Sequence, residues 1–205
     1  MDHVLHGGLA PGDTINGLGL ARKLNVSVAA LREYLNRFER FGLVRRQPNT
    51  SWKFNGFTEE FAIELFEVRE LFELRALRKF AADLDANRLR VLADLEQEHR
   101  ALLAQIDERF HDFSALDAKF HRTFADGAKN RFISQLQELI SLIFHYHFQW
   151  NKADERERNA AAILEHLDII EALRSGDRKS VAKACERHMA SAHQTLVRAL
   201  ALARP

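Results

Sequence analysis

The sequence predicts a mainly α protein, with an N-terminal winged helix-turn-helix over residues 1–57 and an all-α antiparallel helical bundle over residues 58–205. Three observations carry that expectation. Near the start of the chain, two short apolar-periodic segments meet at a tight turn and are followed by alternating residues of hairpin type. From Thr58 onward apolar residues recur every three or four positions with few interruptions. Only three prolines occur in 205 residues, so long unbroken helices are open to the chain.

The elements follow in order. Pro11-Gly12-Asp13 is a turn signal, and Ile15 to Leu24 reads as a short helix with apolar Leu18, Leu20 and Leu24. Asn25 ends it. Ser27 is placed to cap a second helix, which runs to about Arg40 and carries Ala30, Leu31, Tyr34, Leu35 and Phe38 as its apolar stripe. Gly42 stops that helix. Leu43 to Phe57 then alternates through a Pro48-Asn49 turn and returns along Trp52-Lys53-Phe54, a small β-hairpin. Thr58 with Glu59 and Glu60 opens the helical body. Phe61, Leu65, Val68, Leu71, Phe72 and Leu74 follow at helical spacing. Breaks near 85–87, 107–114, 127–130, 150–154 and 175–177 divide the body into about six long helices.

Composition narrows the function. The chain is 46% apolar, enough for a true core. Its best apolar stretch, Leu139 to Phe144, falls far short of the roughly 20 residues that span a bilayer. The N-terminus lacks a basic region followed by an apolar one, and the single cysteine, Cys185, permits no internal disulfide. A cytoplasmic protein without membrane partners is expected. The net charge of +1 conceals an asymmetry. Residues 1–56 hold eight Lys/Arg against four Asp/Glu, and the remainder holds 22 against 25. A basic head on a mildly acidic body suits a polyanion held by the head alone.

Ten histidines are many for this length, and their spacing matters more than their number. Asp117 and His121 stand four apart and share one helix face. His166 lies ten residues before Gly176 and His188 twelve after it. In an antiparallel hairpin those offsets are about 15 Å and 18 Å along each helix, so the two imidazoles lie at nearly one height. Three His and one Asp suit a divalent ion such as Zn²⁺, Ni²⁺ or Mn²⁺, with positions left for water or a carboxylate. Phe-rich stripes and Cys185 read as core.

The head resembles the GntR superfamily of transcription regulators. The resemblance rests on Gly8-Leu-Ala-Pro-Gly-Asp13, Leu20-Ala-Arg-Lys-Leu-Asn-Val-Ser27, Leu31-Arg-Glu-Tyr-Leu35 and Phe41-Gly-Leu-Val44, in order and at the family's spacing. It implies that the helix led by Ser27 enters the major groove of double-stranded operator DNA. Ser27 and Arg32 are then the expected contacts near bases, and Arg22, Arg45, Arg46 and Lys53 the phosphate contacts. Two departures bear on operator preference. Val28-Ala29-Ala30 stands where the family usually has Arg-Thr-Pro, and Thr50-Ser51 where it has Arg-Gly at the wing tip.

The body resembles the FCD domain, the ligand-binding half of the FadR subfamily. This rests on Glu67-Val-Arg69 with Glu73, Asp117-x-x-Phe120-His121, Asn130, His166-x-x-Ile169, Gly176-Asp177 and His188. The resemblance implies a metal held by Asp117, His121, His166 and His188, and a small organic or sugar acid that coordinates it as effector. Arg69 is a candidate second clamp on that carboxylate or, alternatively, an ion-pair partner of Glu73. Asn130 and His145 are further effector-binding candidates; His145, with His147 and Phe148, also reads as core or surface. The expected protein is a homodimeric regulator, a repressor, with no enzyme activity. The rival reading is a metal-dependent HD-like phosphohydrolase built on His111-Asp112 with His99 and Asp168, which would leave the basic head without a purpose. Paired Glu-x-x-His units, Glu96/His99 and Glu108/His111, sit only twelve apart rather than on separate helices of a di-iron bundle.

Overall fold

A computed structural model describes residues 9, 11–49, 51–56, 58–148 and 154–202, with side chains described except at 142–148 and 199–202. The chain divides into two compact units, one ending at Phe61 and one spanning Ala62–Leu202.

The first unit is built on strand β1 (Thr14–Asn16), helices α1 (Gly17–Lys23) and α2 (Val28–Glu39), and strands β2 (Val44–Arg46) and β3 (Ser51–Phe54). The three strands form one antiparallel sheet in the order β1-β3-β2. Sequence periodicity assigns Ile15 and Asn16 to the first helix, but the structure places them in β1. Ile15 pairs with Trp52 and is buried, so tertiary pairing outweighs the local pattern. Asn16 instead caps α1 by accepting the Gly19 amide at 3.0 Å. Ser27 Oγ accepts the Ala30 amide at 3.0 Å and starts α2, a cap worth about 1 kcal/mol. Leu31, Leu35 and Phe38 bury one face of α2. Gly42, with φ of 72°, reverses the chain after it, a conformation that costs glycine nothing.

The second unit comprises α3 (Glu59–Ala82), α4 (Ala86–Ala104), a short α5 (Ile106–Arg109) leading into a 3₁₀ turn, α6 (Phe113–Gly127), α7 (Arg131–Phe148), α8 (Glu155–Ser175) and α9 (Arg178–Leu202). The long helices bury residues three or four apart. On α4 these are Leu92, Leu95, His99 and Leu102; on α8 they include Ile163, His166, Ile169, Ile170 and Leu173. Helix α8 packs against both α4 and α9, and α6 packs against α7. Gly176, left-handed at φ of 70°, ends α8. Asp177 then starts α9 by accepting the Lys179 amide at 3.0 Å and the Ser180 hydroxyl at 2.6 Å. Only those two residues join α8 to α9, which forces the pair antiparallel. Among the described residues no helix is long and apolar enough to cross a membrane.

Candidate metal centre

Three imidazoles from three helices meet in the body: His121 on α6, His166 on α8 and His188 on α9, all buried. The Nε2 atoms of His166 and His188 are 3.3 Å apart, as are those of His188 and His121. One nitrogen from each of the three lies within 4.8 Å of the others. Asp117, one turn before His121 on α6, sets its Oδ1 3.6 Å from His121 Nε2 and 3.7 Å from His166 Nε2. The i,i+4 spacing places both α6 side chains on one face, and the α8–α9 hairpin brings the other two opposite.

Neighbouring groups hold the rings in place. Phe120 stacks on His166 with centroids 3.8 Å apart and planes 6° off parallel. On the outer edges, His188 Nδ1 lies 2.8 Å from Glu165 Oε2, and His166 Nδ1 lies 3.0 Å from His99 Nε2. Glu73 Oε1 lies 2.8 Å from His121 Nδ1, a close charge contact whose angle is poor for hydrogen bonding. Outer partners of this kind are what orient imidazole ligands.

The charges are unevenly distributed. Burial pushes the pKa of His166 well below the usual imidazole value, and repulsion from His188 and His121 pushes it further. Burial also lowers His188, although its bond to Glu165 pulls the other way. His121 behaves oppositely: burial disfavours its charge, but Glu73 and Asp117 outweigh that and hold its pKa at about 9. Burial would raise both carboxyls; attraction to His121, and then to Arg69, holds them below their ordinary values.

This donor set fits a divalent ion. The Nε2 atoms of His166 and His188 face each other at 3.3 Å, with Asp117 Oδ1 beside them. Nitrogens bound to one ion at about 2.0–2.1 Å stand roughly 3.0–3.4 Å apart, which matches the observed spacing. The aspartate adds an oxygen and a negative charge.

A small, partly open cavity of ≈ 30 Å³ adjoins these residues. Asp117, His188, Arg69 and Glu165 line the end nearest the histidines, and Arg158, Asn159, Ser191 and Thr195 also line it. Arg69 forms the ion pair with Glu73 that is one of its two sequence readings. Its Nε reaches Glu73 at 3.4 Å, and the residue lines the cavity. Its Nη2 also lies 3.2 Å from His121 Nε2. Sequence inspection passed over Glu165, Arg158 and Asn159, and named His99 only in the rival reading. A signal was present, since Arg158, Ala162 and Glu165 recur at i, i+4 and i+7 on one stripe of α8.

Other candidates lie elsewhere. Asn130 is exposed and accepts the Phe132 amide at 3.0 Å at the start of α7, so it does not line this cavity; its side chain is committed to the helix start. The His145 side chain lies outside the described residues, as does Thr50 of the wing tip. The rival phosphohydrolase set does not assemble. His111 is exposed beside Glu155 at 3.4 Å, Asp112 pairs with Arg109, Asp168 pairs with Arg187, and His99 is buried against His166.

In the head, Arg22, Arg32, Arg45 and Arg46 are exposed and Lys53 is half-buried. Arg45 and Lys53 are direct cross-strand partners. Like charges set opposite one another destabilise a sheet, so this edge of the wing favours an anion.

An FCD domain model matches residues 64–191. The "Probable HTH-type transcriptional regulator LgoR" of Escherichia coli (strain K12) is 37% identical over 194 residues, covering 94% of this chain and 64% of that protein. The chain thus spans just under two thirds of that relative's length. E. coli McbR/YncC has the same fold, with a TM-score of 0.74 at 18% identity over 96% of this chain and 92% of that one. The Zn²⁺-bound FCD domain of TM0439 superposes with a TM-score of 0.54 at 20% identity over 71% of this chain and 97% of that one. With an FCD domain model matched over residues 64–191, more than half of its length, the chain belongs to the FCD-domain family.

Proposed function

We propose that this chain is a DNA-binding transcription regulator whose helical body holds a divalent ion at Asp117, His121, His166 and His188 and there senses a small carboxylate. The observation that carries the reading is the convergence of those four side chains at the wall of a cavity that also bears two arginines. The ion, when bound, supplies a Lewis-acidic point of attachment for an acid. The chain's own residues do the rest. Arg69 offers a planar fork to a carboxylate, and Arg158 places a second positive charge within the cavity. Arg69 Nη2 lies 3.2 Å from His121 Nε2, so its guanidinium sits where it would meet an acid held at the ion. That an FCD domain of the same fold, from TM0439, binds Zn²⁺ supports a metal in this body.

The head reads DNA in this proposal, with Ser27 starting the groove helix and Arg32 among its first turns, while Arg22, Arg45, Arg46 and Lys53 meet phosphates. Two such heads in a homodimer match a pseudo-palindromic operator. Effector binding regulates, as a repressor releasing its operator, only if the acid binds the operator-competent and released arrangements with different affinity.

The test is elemental analysis of the protein as isolated, beside His166→Ala and His188→Ala, with operator binding followed by fluorescence anisotropy. The wild type is expected to retain about one equivalent of metal per chain and to release DNA on addition of a suitable organic acid. The variants are expected to lose metal by at least ten-fold yet still bind operator. Equal metal in all three proteins removes the sensor; no selective binding to any operator fragment removes the regulator.

A further inference from the structure

We propose that His99, which is not itself a metal ligand, is a positioning residue: it fixes the tautomer of His166 so that the Nε2 lone pair of His166 is presented to the ion. The inference rests on the metal reading for its purpose, but on hydrogen-bond connectivity alone for its content.

His99 is fully buried on α4, and its Nδ1 lies 2.7 Å from the carbonyl oxygen of Leu95, one turn earlier on the same helix. A carbonyl oxygen only accepts, so Nδ1 of His99 carries a hydrogen. The ring is fully buried, and its hydrogen-bond partners are a carbonyl oxygen and an imidazole rather than a carboxylate, so a second proton is disfavoured and Nε2 is left as an acceptor. That Nε2 faces His166 Nδ1 at 3.0 Å. One hydrogen belongs between the two nitrogens, and it must come from His166. His166 is fully buried, and with its hydrogen on Nδ1 its Nε2 lone pair points at His188 and Asp117.

The opposite tautomer would set two lone pairs against each other at the His99–His166 contact and place a hydrogen where the ion sits. The chain Leu95 carbonyl, His99, His166 thus has one self-consistent direction, set from the backbone of α4 outward. It does for His166 what the Glu165 carboxylate does for His188, with a neutral acceptor in place of a charged one. A neutral partner also avoids adding a further negative charge to an interior that already holds Glu73 and Asp117. Edge-on packing of His99 against Phe120 at 5.4 Å, with Phe120 stacked on His166, keeps the three rings in register.

The experiment is long-range ¹H–¹⁵N correlation of histidine-labelled, chelator-stripped full-length protein, which reads the protonation of each ring nitrogen directly. In the wild type His166 is expected to show a protonated Nδ1 and a bare Nε2. His99→Phe keeps a ring against Phe120 but removes the acceptor. It is expected to shift His166 toward the Nε2-protonated form and to weaken Zn²⁺ binding on the order of 10–100-fold in competition with a chelating dye. His99→Gln, whose amide oxygen can accept from His166 Nδ1, is expected to restore the wild-type tautomer and most of the affinity.

An Nε2-protonated His166 in the wild type overturns the proposal, as does an unchanged tautomer in His99→Phe. If His99→Phe does not fold, the wild-type spectrum and His99→Gln decide the matter. The tautomer is read without metal, so a wild type that takes up no Zn²⁺ would sink the metal reading and leave this connectivity standing.

Discussion

The head and the body of this chain use charge in opposite ways. In the head the arginines at 22, 32, 45 and 46 lie exposed, and Arg45 is even set opposite Lys53 across the wing. In the body Arg69, Glu73, His99, His121, His166 and His188 are all buried and linked to one another within a few ångströms. The head tolerates local repulsion that a bound anion would relieve. The body has already desolvated its polar groups and holds them aligned, so that little reorganisation is left for a ligand to bring about. A surface that waits for charge and an interior that has arranged it in advance are two routes to recognition within one chain.

Substitutions on the two sides separate these regimes. The largest effect is expected at His121→Ala, which strands Glu73 and Asp117 in the interior without their imidazolium and should cost about 3–5 kcal/mol in denaturant unfolding of the metal-free protein. His121 also predicts a pH dependence. Its folded pKa of about 9 lies above the ordinary 6.5, so the stability it contributes is complete below about pH 6.5 and is lost as pH rises through about 9. His166 and His188, both lowered, act on the other side: they favour the fold above pH 6.5 and penalise it below. Thermal melts of chelator-treated protein should therefore decline from about pH 7 to 9, and His121→Gln should flatten that limb. A wild-type curve level across this range would show that His121 is not charged in the fold.

Smaller effects belong to the head. Arg32→Ala should weaken operator binding by roughly 1–3 kcal/mol and relax sequence preference, leaving melting temperature and metal content unchanged. Loss of metal in that variant would break the division between the two regions. Smallest is Arg45→Gln. It should lower affinity for all DNA sequences alike and reduce the salt slope of binding by about 1, while stabilising the free protein by a few tenths of a kcal/mol through relief of the contact with Lys53. A salt titration and a melt on one sample measure both.

Much of the frame was legible because it depends on local chemistry. Ser27 and Gly176 mark helix ends by capping chemistry that needs no knowledge of the fold. Asp117 and His121 share a face by helical period alone, and two residues joining α8 to α9 fix their antiparallel course. What escaped depends on packing between elements. Ile15 has a helical pattern but pairs with Trp52, a partner 37 positions away whose contact only the fold supplies. His99 reaches His166 only because α4 lies on α8 with that face inward, and nothing in the spacing of α4 distinguishes it from a core histidine. Glu165 and Glu73 resemble any surface glutamate on a long helix until burial places them behind an imidazole. Asn130 misled in the other direction, because asparagine before a helix is explained by the helix start alone.

The Gly176-Asp177 connection has a consequence for how this protein can vary. Because two ligands sit on the helices it joins, its length acts as a gauge for their mutual register. One inserted residue would turn all of α9 by about 100° and slide it by about 1.5 Å, swinging His188 out of reach of His121 and His166. Variation in length is therefore hard to accommodate at this corner, where a single codon would part His188 from His121 and His166.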